Sequence, residues 1–369
     1  MQKFGRNILE PLAIFVLFTG IYVGISEIKG NSNLYLPVWD VEHYLSISES
    51  GYIVYPCTPG VEYPSGKICG NVGWYPFWPI VVRIFRPLFG GAVQWSFIGL
   101  AFVFTLLSFI LLHSWLRQLY DRNQATLVIA ALAFNPAGFY LLTGFPYALF
   151  ILLLISYLII FYDTSIRLRN LYLFLLGLGI SLTYPTGILV AAVPFAAEIL
   201  DAVKKKDAWK KTANWRRVFL YLCPFILGPL LLWSYFYFRF DDFFLQLHFQ
   251  EKYQRVWGIP FAVIFQSLAR YPWTSPDNLT LLWYGLALII FIPYRTKPEL
   301  WIFALVLYLF SPATGTTMSI YRHYIVIMPV YIIIGVSSRP IWFKGIYILA
   351  GLAISLLVLF PQFILNRLI

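Results

Sequence analysis

The sequence predicts an all-α integral membrane protein, a single polytopic domain over residues 1–369 with about eleven transmembrane helices. Three observations predict it. Hydrophobic residues make up 60% of the chain and charged residues 12%, whereas soluble domains run at about 45–50% and about 25%. The apolar residues form continuous runs of span length rather than the alternation of a membrane barrel. Basic residues gather beside those runs, seven of the 27 in one stretch: Lys204, Lys205, Lys206, Lys210, Lys211, Arg216 and Arg217. A soluble enzyme of ordinary composition, a disordered chain, a collagen and a disulfide-stapled secreted module are excluded. The net charge of +11 does not imply nucleic acid, because no folded domain remains to present a patch, and no nucleic-acid partner is expected.

Taken in order, the candidate spans are 8–28, 92–116, 124–143, 146–163, 170–183, 186–202, 218–238, 279–294, 299–315, 321–337 and 342–362. The first is long enough to span and lacks a small-residue cleavage site, so no cleavable signal peptide is expected. The short pair 170–183 and 186–202 flanks Thr183-Tyr184-Pro185-Thr186-Gly187. It reads as two tilted spans or as a re-entrant hairpin, since Pro and Gly at membrane depth need protein or water to satisfy freed backbone groups.

Positive charge orients the chain. With the N-terminus cytoplasmic, the cytoplasmic side carries 17 of the 27 basic residues: the run of seven with Lys3, Arg6, Arg117, Arg122, Arg167, Arg169, Arg295, Lys297, Arg339 and Lys344. The polar mass then lies outside, in a first external loop at 29–91 and a second at 239–278, and the C-terminus is external. The membrane is a bacterial plasma membrane, or the endoplasmic reticulum in a eukaryote, with the active site on the external or luminal face. The few charges within spans, Glu10, Asp163 and Glu198, lie near span ends. That argues against an ion-coupled transporter, whose polar site sits at mid-membrane, and favours chemistry at the outer surface.

In the first external loop, residues 38–52 read as a short amphipathic helix with Val41, Tyr44, Leu45 and Ser48 on one side and Gly51 ending it. Asp40 at its start either caps the helix or serves as a general base. His43 lies on the same face. Trp74-Tyr75-Pro76-Phe77-Trp78-Pro79 reads as an interfacial aromatic anchor or as a groove for a lipid-borne substrate. Cys57 and Cys69, both in this loop, predict a structural disulfide.

Other chemistry lacks a signature. His43, His113, His248 and His323 form no metal pair at i, i+4, and no CxxC, Walker loop, dinucleotide turn or nucleophile elbow occurs. Asp241-Asp242 reads as a loop or cap. No metal and no cofactor are expected.

Several short motifs, taken in order, resemble the PIG-V family of GT-C glycosyltransferases, which includes the second mannosyltransferase of GPI-anchor synthesis and bacterial relatives. Trp39-Asp40 with Gly51-Tyr52 is similar to the family's first luminal loop. Trp74-Tyr75-Pro76 through Arg83 is similar to its aromatic-Pro stretch, and Asn135-Pro136-Ala137 with Tyr147-Ala148-Leu149-Phe150 to its Asn-Pro-Ala and Ser-Leu-Phe pattern. Thr183 to Gly187 resembles its Thr-Arg-x-Thr-Gly turn, Asp242 to Arg255 its Gly-Asp-Pro…Trp-x-Arg loop, and Tyr321-Arg322-His323-Tyr324 with Pro329 its final motif. Tyr184 stands where the family often has Arg, Asp241 where it has Gly, and 57–70 looks inserted.

The resemblance implies an inverting glycosyltransferase that moves mannose from polyprenyl- or dolichyl-phosphate-mannose to a lipid-linked or cell-surface glycan. A phosphate leaves readily, so one carboxylate to deprotonate the acceptor hydroxyl is enough. Asp40 is that base. Arg322, His323, Arg255 and Lys252 are the candidates to hold the departing phosphate, though each also fits a belt position. His43, Trp74, Tyr75, Gln250 and Asp242 complete the expected substrate contacts. The partners are membrane lipids, the lipid-phosphate sugar and the acceptor, with a protein partner left open. Two other classes fit the composition: a lipid-linked sugar flippase, and a non-catalytic membrane subunit of a glycan-assembly complex.

Overall fold

The protein is mostly helical. The computed structural model describes residues 8–30, 34–36, 38–58, 66–204, 215–253, 256–292 and 297–368. Of the sequence-based expectations, those on Lys3, Arg6, Arg255, Arg295 and the basic residues 205–214 lie outside these residues. Among the described residues five helices are long and apolar enough to cross a membrane: Leu9–Ile28, Val93–Leu119, Pro185–Val203, Arg217–Phe240 and Ile341–Ile364. The chain is a membrane protein. The expected eleven full spans are not all continuous helices, for reasons that bear on the site.

The elements follow the expected order. α1 (Leu9–Ile28) leads into α2 (Asp40–Ser50), a hairpin of β1 (Val54–Pro56) and β2 (Ile68–Gly70), and α3 (Phe77–Phe85). Then come α4 (Val93–Leu119), α5 (Arg122–Ala133), α6 (Tyr147–Tyr162), α7 (Arg169–Thr183), α8 (Ala192–Lys204) and α9 (Trp215–Phe240). The second loop holds α10 (Leu245–Gln250) and α11 (Pro260–Arg270). α12 (Pro276–Ile290), α13 (Pro298–Ala313), the short α14 (Ile320–Tyr324), α15 (Met328–Val336) and α16 (Ile341–Ile354) complete the chain, α16 running on to Ile364 through a π-turn at Ser355–Leu359.

The span expected at 124–143 stops at Ala133. Asn135-Pro136 ends it, because Pro136 offers no N–H and disfavours helix before it. The Asn135 side chain takes over the freed groups: Nδ2 donates to the Leu132 carbonyl at 2.8 Å and Oδ1 accepts from the Ala137 N–H at 2.9 Å. The span expected at 321–337 breaks between α14 and α15, ahead of Pro329. There the freed Ile325 carbonyl accepts the Tyr331 hydroxyl at 3.0 Å, and the Tyr284 and Tyr331 hydroxyls pair at 2.6 Å. Both breaks are buried and satisfied by side chains, as an irregular backbone inside a membrane protein requires. The second one turns Arg322 and His323 out of a helix that would otherwise run straight.

Helices pack closely through small residues, as membrane helices do where lipid removes the hydrophobic drive. A Cβ on Gly228 of α9 would lie 2.1 Å from Ser181 Oγ on α7, and one on Gly335 of α15 would lie 2.3 Å from Val128 of α5. The main core of buried side chains runs through α4, α5, α6, α12, α13, α14 and α15.

The first loop folds into a platform on this bundle. Cys57 and Cys69 are joined, with Cα atoms 4.9 Å apart, beside the antiparallel pairing of Tyr55 with Cys69. Buried Asn71 ties hairpin to helix. Its Oδ1 accepts from Ile53 N–H at 2.8 Å, and its Nδ2 donates to Ser46 Oγ and the Gly51 carbonyl, each at 3.0 Å. Trp78 of α3 is fully buried and donates to the Gly144 carbonyl at 2.8 Å. Lys67 of the hairpin pairs with Glu251 of the second loop at 3.3 Å.

Candidate active site

Asp40 is the first residue of α2, and it does not act as the cap. The capping position belongs to Trp39, whose backbone sits at φ 51°, and no side chain caps the helix. A bulky residue at positive φ is strained, of the order of 1–3 kcal/mol, and persists only where the surroundings hold it. Here Trp39 is held edge-on against Phe363, ring centroids 5.1 Å apart. The carboxylate meets Arg322 instead: Asp40 Oδ2 lies 3.0 Å from Arg322 Nη1. The pair joins the first and last motifs read from the sequence. Its side chains are 26% and 19% exposed, deep enough for the attraction to matter and open enough for a ligand to arrive.

Arg322 sits in a shell of tyrosines. Tyr140, Tyr147 and Tyr321 all lie within its electrostatic reach, and Tyr140 stacks on Tyr321 at 6.1 Å. The guanidinium Nε is buried with no hydrogen-bond partner among the described residues. A buried unpaired donor is costly, about 1–3 kcal/mol, and marks a place for an acceptor. Next along the helix, His323 Nδ1 is hydrogen-bonded to the Tyr184 hydroxyl. Tyr184, the residue that departs from the family-like turn, thus holds the histidine beside Arg322.

A second cluster stands next to the first. His43, one turn on from Asp40, stacks on Trp74 with centroids 3.6 Å apart and planes at 21°. Trp74 meets Phe249 edge-on at 5.7 Å, and Lys252 Nζ sits over the Phe249 ring at 3.7 Å. Burial pushes the His43 imidazole below its ordinary value; Asp40 opposes the shift and Lys252 adds to it.

A cavity of about 590 Å³ adjoins both clusters. Gly73, Tyr75, Tyr184, Trp233, Gln246, Gln250, Trp257, Thr316 and His323 are among its lining residues. Of the expected site residues, Tyr75, Gln250 and His323 line it, whereas Asp40, Arg322, His43, Trp74 and Lys252 do not; Arg322, paired with Asp40, is the chain neighbour of His323. Flat aromatic faces beside amide and hydroxyl groups suit a sugar, which offers apolar C–H faces and a fringe of hydroxyls. Asp242 stands apart. It accepts from His248 Nδ1 at 2.7 Å and from Phe244 N–H at 2.9 Å in the turn after α9, and it does not line the cavity. No group of three or more His, Cys, Asp or Glu side chains able to hold a metal gathers among the described residues.

Sequence reading missed Trp233, Gln246 and Asp277. Trp233 and Gln246, joined by a hydrogen bond of 3.1 Å, come to the cavity from the end of a span and from a loop helix, and no spacing relates them. Asp277 follows Ser275-Pro276, an ordinary start for a helix, and Ser275 does cap α12 through Asn278 N–H. That local sense hid a second role. The Asp277 carboxylate reaches across to accept the Ile320 N–H of α14 at 2.8 Å.

No family model matches the chain, and no curated protein matches it. Among solved structures it is similar to the oligosaccharyltransferase of Archaeoglobus fulgidus in its apo form, with a TM-score of 0.52 and 14% identity over 97% of this chain and 56% of that one. The likeness is one of fold. A second structure of that archaeal enzyme, AglB with an inhibitory peptide and a dolichol-phosphate, aligns with a TM-score of 0.45 and 12% identity over 91% of this chain and 52% of that one. The chain spans about half the length of these structures. At such identities the shared property is the fold, and chemistry has to be argued from the site.

Proposed function

We propose that the protein is an inverting membrane glycosyltransferase that transfers a sugar, mannose by the family resemblance, from a polyprenyl- or dolichyl-phosphate carrier to a lipid-linked or cell-surface glycan on the external face. The observation that carries the reading is the Asp40–Arg322 pair, which joins one carboxylate and one guanidinium from distant parts of the chain, Arg322 being the chain neighbour of His323, which lines the cavity.

The steps follow from these groups. Asp40 accepts the proton of the acceptor hydroxyl, whose oxygen attacks the anomeric carbon from the face opposite the phosphate. The bond from anomeric carbon to phosphate oxygen breaks as the new glycosidic bond forms, and the configuration inverts. Electrons leave with the phosphate, so no proton donor is needed. Arg322, whose Nε has no acceptor among the described residues, and His323, steadied by Tyr184, hold the departing phosphate. The phosphate competes with Asp40 for Arg322, so donor binding releases the carboxylate to act as a base. A flippase would need a polar path at mid-membrane, and no observation here favours one.

The direct test is turnover. Purified protein given labelled polyprenyl-phosphate mannose and a membrane glycolipid extract is expected to release polyprenyl phosphate and label the glycolipid. Movement of intact donor across vesicles without its cleavage would contradict the reading.

A further inference from the structure

We infer that Asp277 is a positioning residue for the donor phosphate: its carboxylate fixes the backbone of α14 and so sets where Arg322 points. The inference rests on the reading that Arg322 holds that phosphate.

The geometry is specific. α14 has five residues, too short to hold its own shape, since a lone turn fixes many dihedrals for one hydrogen bond. Something else must order it. Its first residue follows Ser319, which sits in the left-handed region at φ 61°. That conformation turns successive backbone N–H groups toward one point, a nest for an anion. Asp277 fills the nest: its carboxylate accepts the Ile320 N–H at 2.8 Å, and the Ser319 and Tyr321 N–H groups also favour its charged form. The preceding turn is fastened to the same helix start. Ser267 Oγ pairs with Thr317 Oγ1 and donates to Asn278 Oδ1, each at 2.8 Å.

Arg322 needs such a mount. Its side chain has Asp40 as ion-pair partner and a buried Nε with no hydrogen-bond partner among the described residues. When the phosphate draws the guanidinium away from Asp40, the backbone of α14 sets the point from which the side chain reaches. The charged groups around Asp277 are few: Arg322, with Tyr321 and Tyr324 as the titratable neighbours. Burial pushes the Asp277 carboxyl up to about 6, against the pull of three N–H groups and Arg322. An acid whose folded value is raised weakens the fold as pH rises through that value. The carboxylate is thus kept at a cost to stability, the pattern expected of a group retained for function.

The test compares wild type, Asp277→Asn and Arg322→Ala, each purified in detergent. Binding of polyprenyl phosphate and melting temperature are measured at about pH 8, above the second ionisation of the phosphate. Asp277→Asn is isosteric and removes the charge. It is expected to weaken binding about tenfold, the scale of one charge-assisted hydrogen bond, while melting at or above the wild-type temperature. Arg322→Ala is expected to weaken binding at least as much. If Asp277→Asn binds as wild type while Arg322→Ala is weakened, the positioning role is wrong and the phosphate reading stands. If Arg322→Ala binds as wild type, the underlying reading falls. An Asp277→Asn protein that melts lower with unchanged affinity, or is too unstable to purify, overturns the inference, since a carboxylate kept for positioning is not required for folding.

Discussion

At the scale of single residues, one guanidinium is shared between two anions. Arg322 meets Asp40 in the free protein and meets phosphate in the reacting one. Replacing it separates these roles. Arg322→Lys keeps a charge but loses the fork that spans two oxygens, and the donor KM is expected to rise about tenfold with a smaller change in kcat. Arg322→Ala is expected to raise the donor KM further; an unchanged donor KM and kcat would remove Arg322 from the site. Asp40 then stands unpaired but 26% exposed, so water can hydrate it and the protein folds. Sequence reading reached Asp40, Arg322 and His323 because short motifs carry them. It did not reach Asp277, whose partner is a backbone N–H from a distant segment, or Tyr184's bond to His323, because no residue spacing encodes a meeting across the bundle.

At the scale of elements, two breaks and one clasp build the site. The break before α15 sets α14 off as a separate short helix, and the break at Asn135-Pro136 is closed by a single side chain. Both were hidden because hydropathy runs on unbroken through them, and only Pro136 and Pro329 hinted otherwise. The clasp is the Cys57–Cys69 bond, with twelve residues of sequence separation. In the chain-entropy view a loop of that size contributes about 3 kcal/mol. The Cys57→Ser, Cys69→Ser double variant is expected to melt several degrees lower in detergent and to lose activity in proportion to its unfolded fraction. Equal melting with and without reductant would show that the platform does not depend on the bond. Helix contact gives a second check. Gly228→Ala drives a Cβ against Ser181 Oγ, with overpacking worth about 1–3 kcal/mol. The partner change Ser181→Ala is expected to recover part of that loss, and no recovery would mean that α7 and α9 meet elsewhere.

At the scale of the whole molecule, the membrane class and the order of helices were legible in composition and in apolar runs. Among the described residues five helices meet the length of a span, and the shorter ones are stabilised by burial against neighbours. Direction was read from charge alone. With 17 of the 27 basic residues on one side, the loop at 29–91 is expected outside and the run at 204–217 inside. A cysteine at position 65 is expected to react with an impermeant reagent added outside, and one at position 205 only after the membrane is opened. Labelling of position 65 from the cytoplasmic side alone would invert the molecule and remove the site from the external face.

If Asp40 is the base, a comparison of three proteins shows it. Asp40→Asn keeps the size of the side chain and cannot take a proton. Turnover of labelled polyprenyl-phosphate mannose is measured for the wild type, for Asp40→Asn and for Asp242→Asn, all confirmed folded by melting temperature. The account predicts that Asp40→Asn loses about 10²-fold or more in kcat, the scale of a lost general base. It also predicts that Asp242→Asn, which loses only its bonds to His248 and Phe244, stays within a few-fold of wild type. Near wild-type turnover by Asp40→Asn, with Asp242→Asn inactive, would contradict it and move the base to the second external loop.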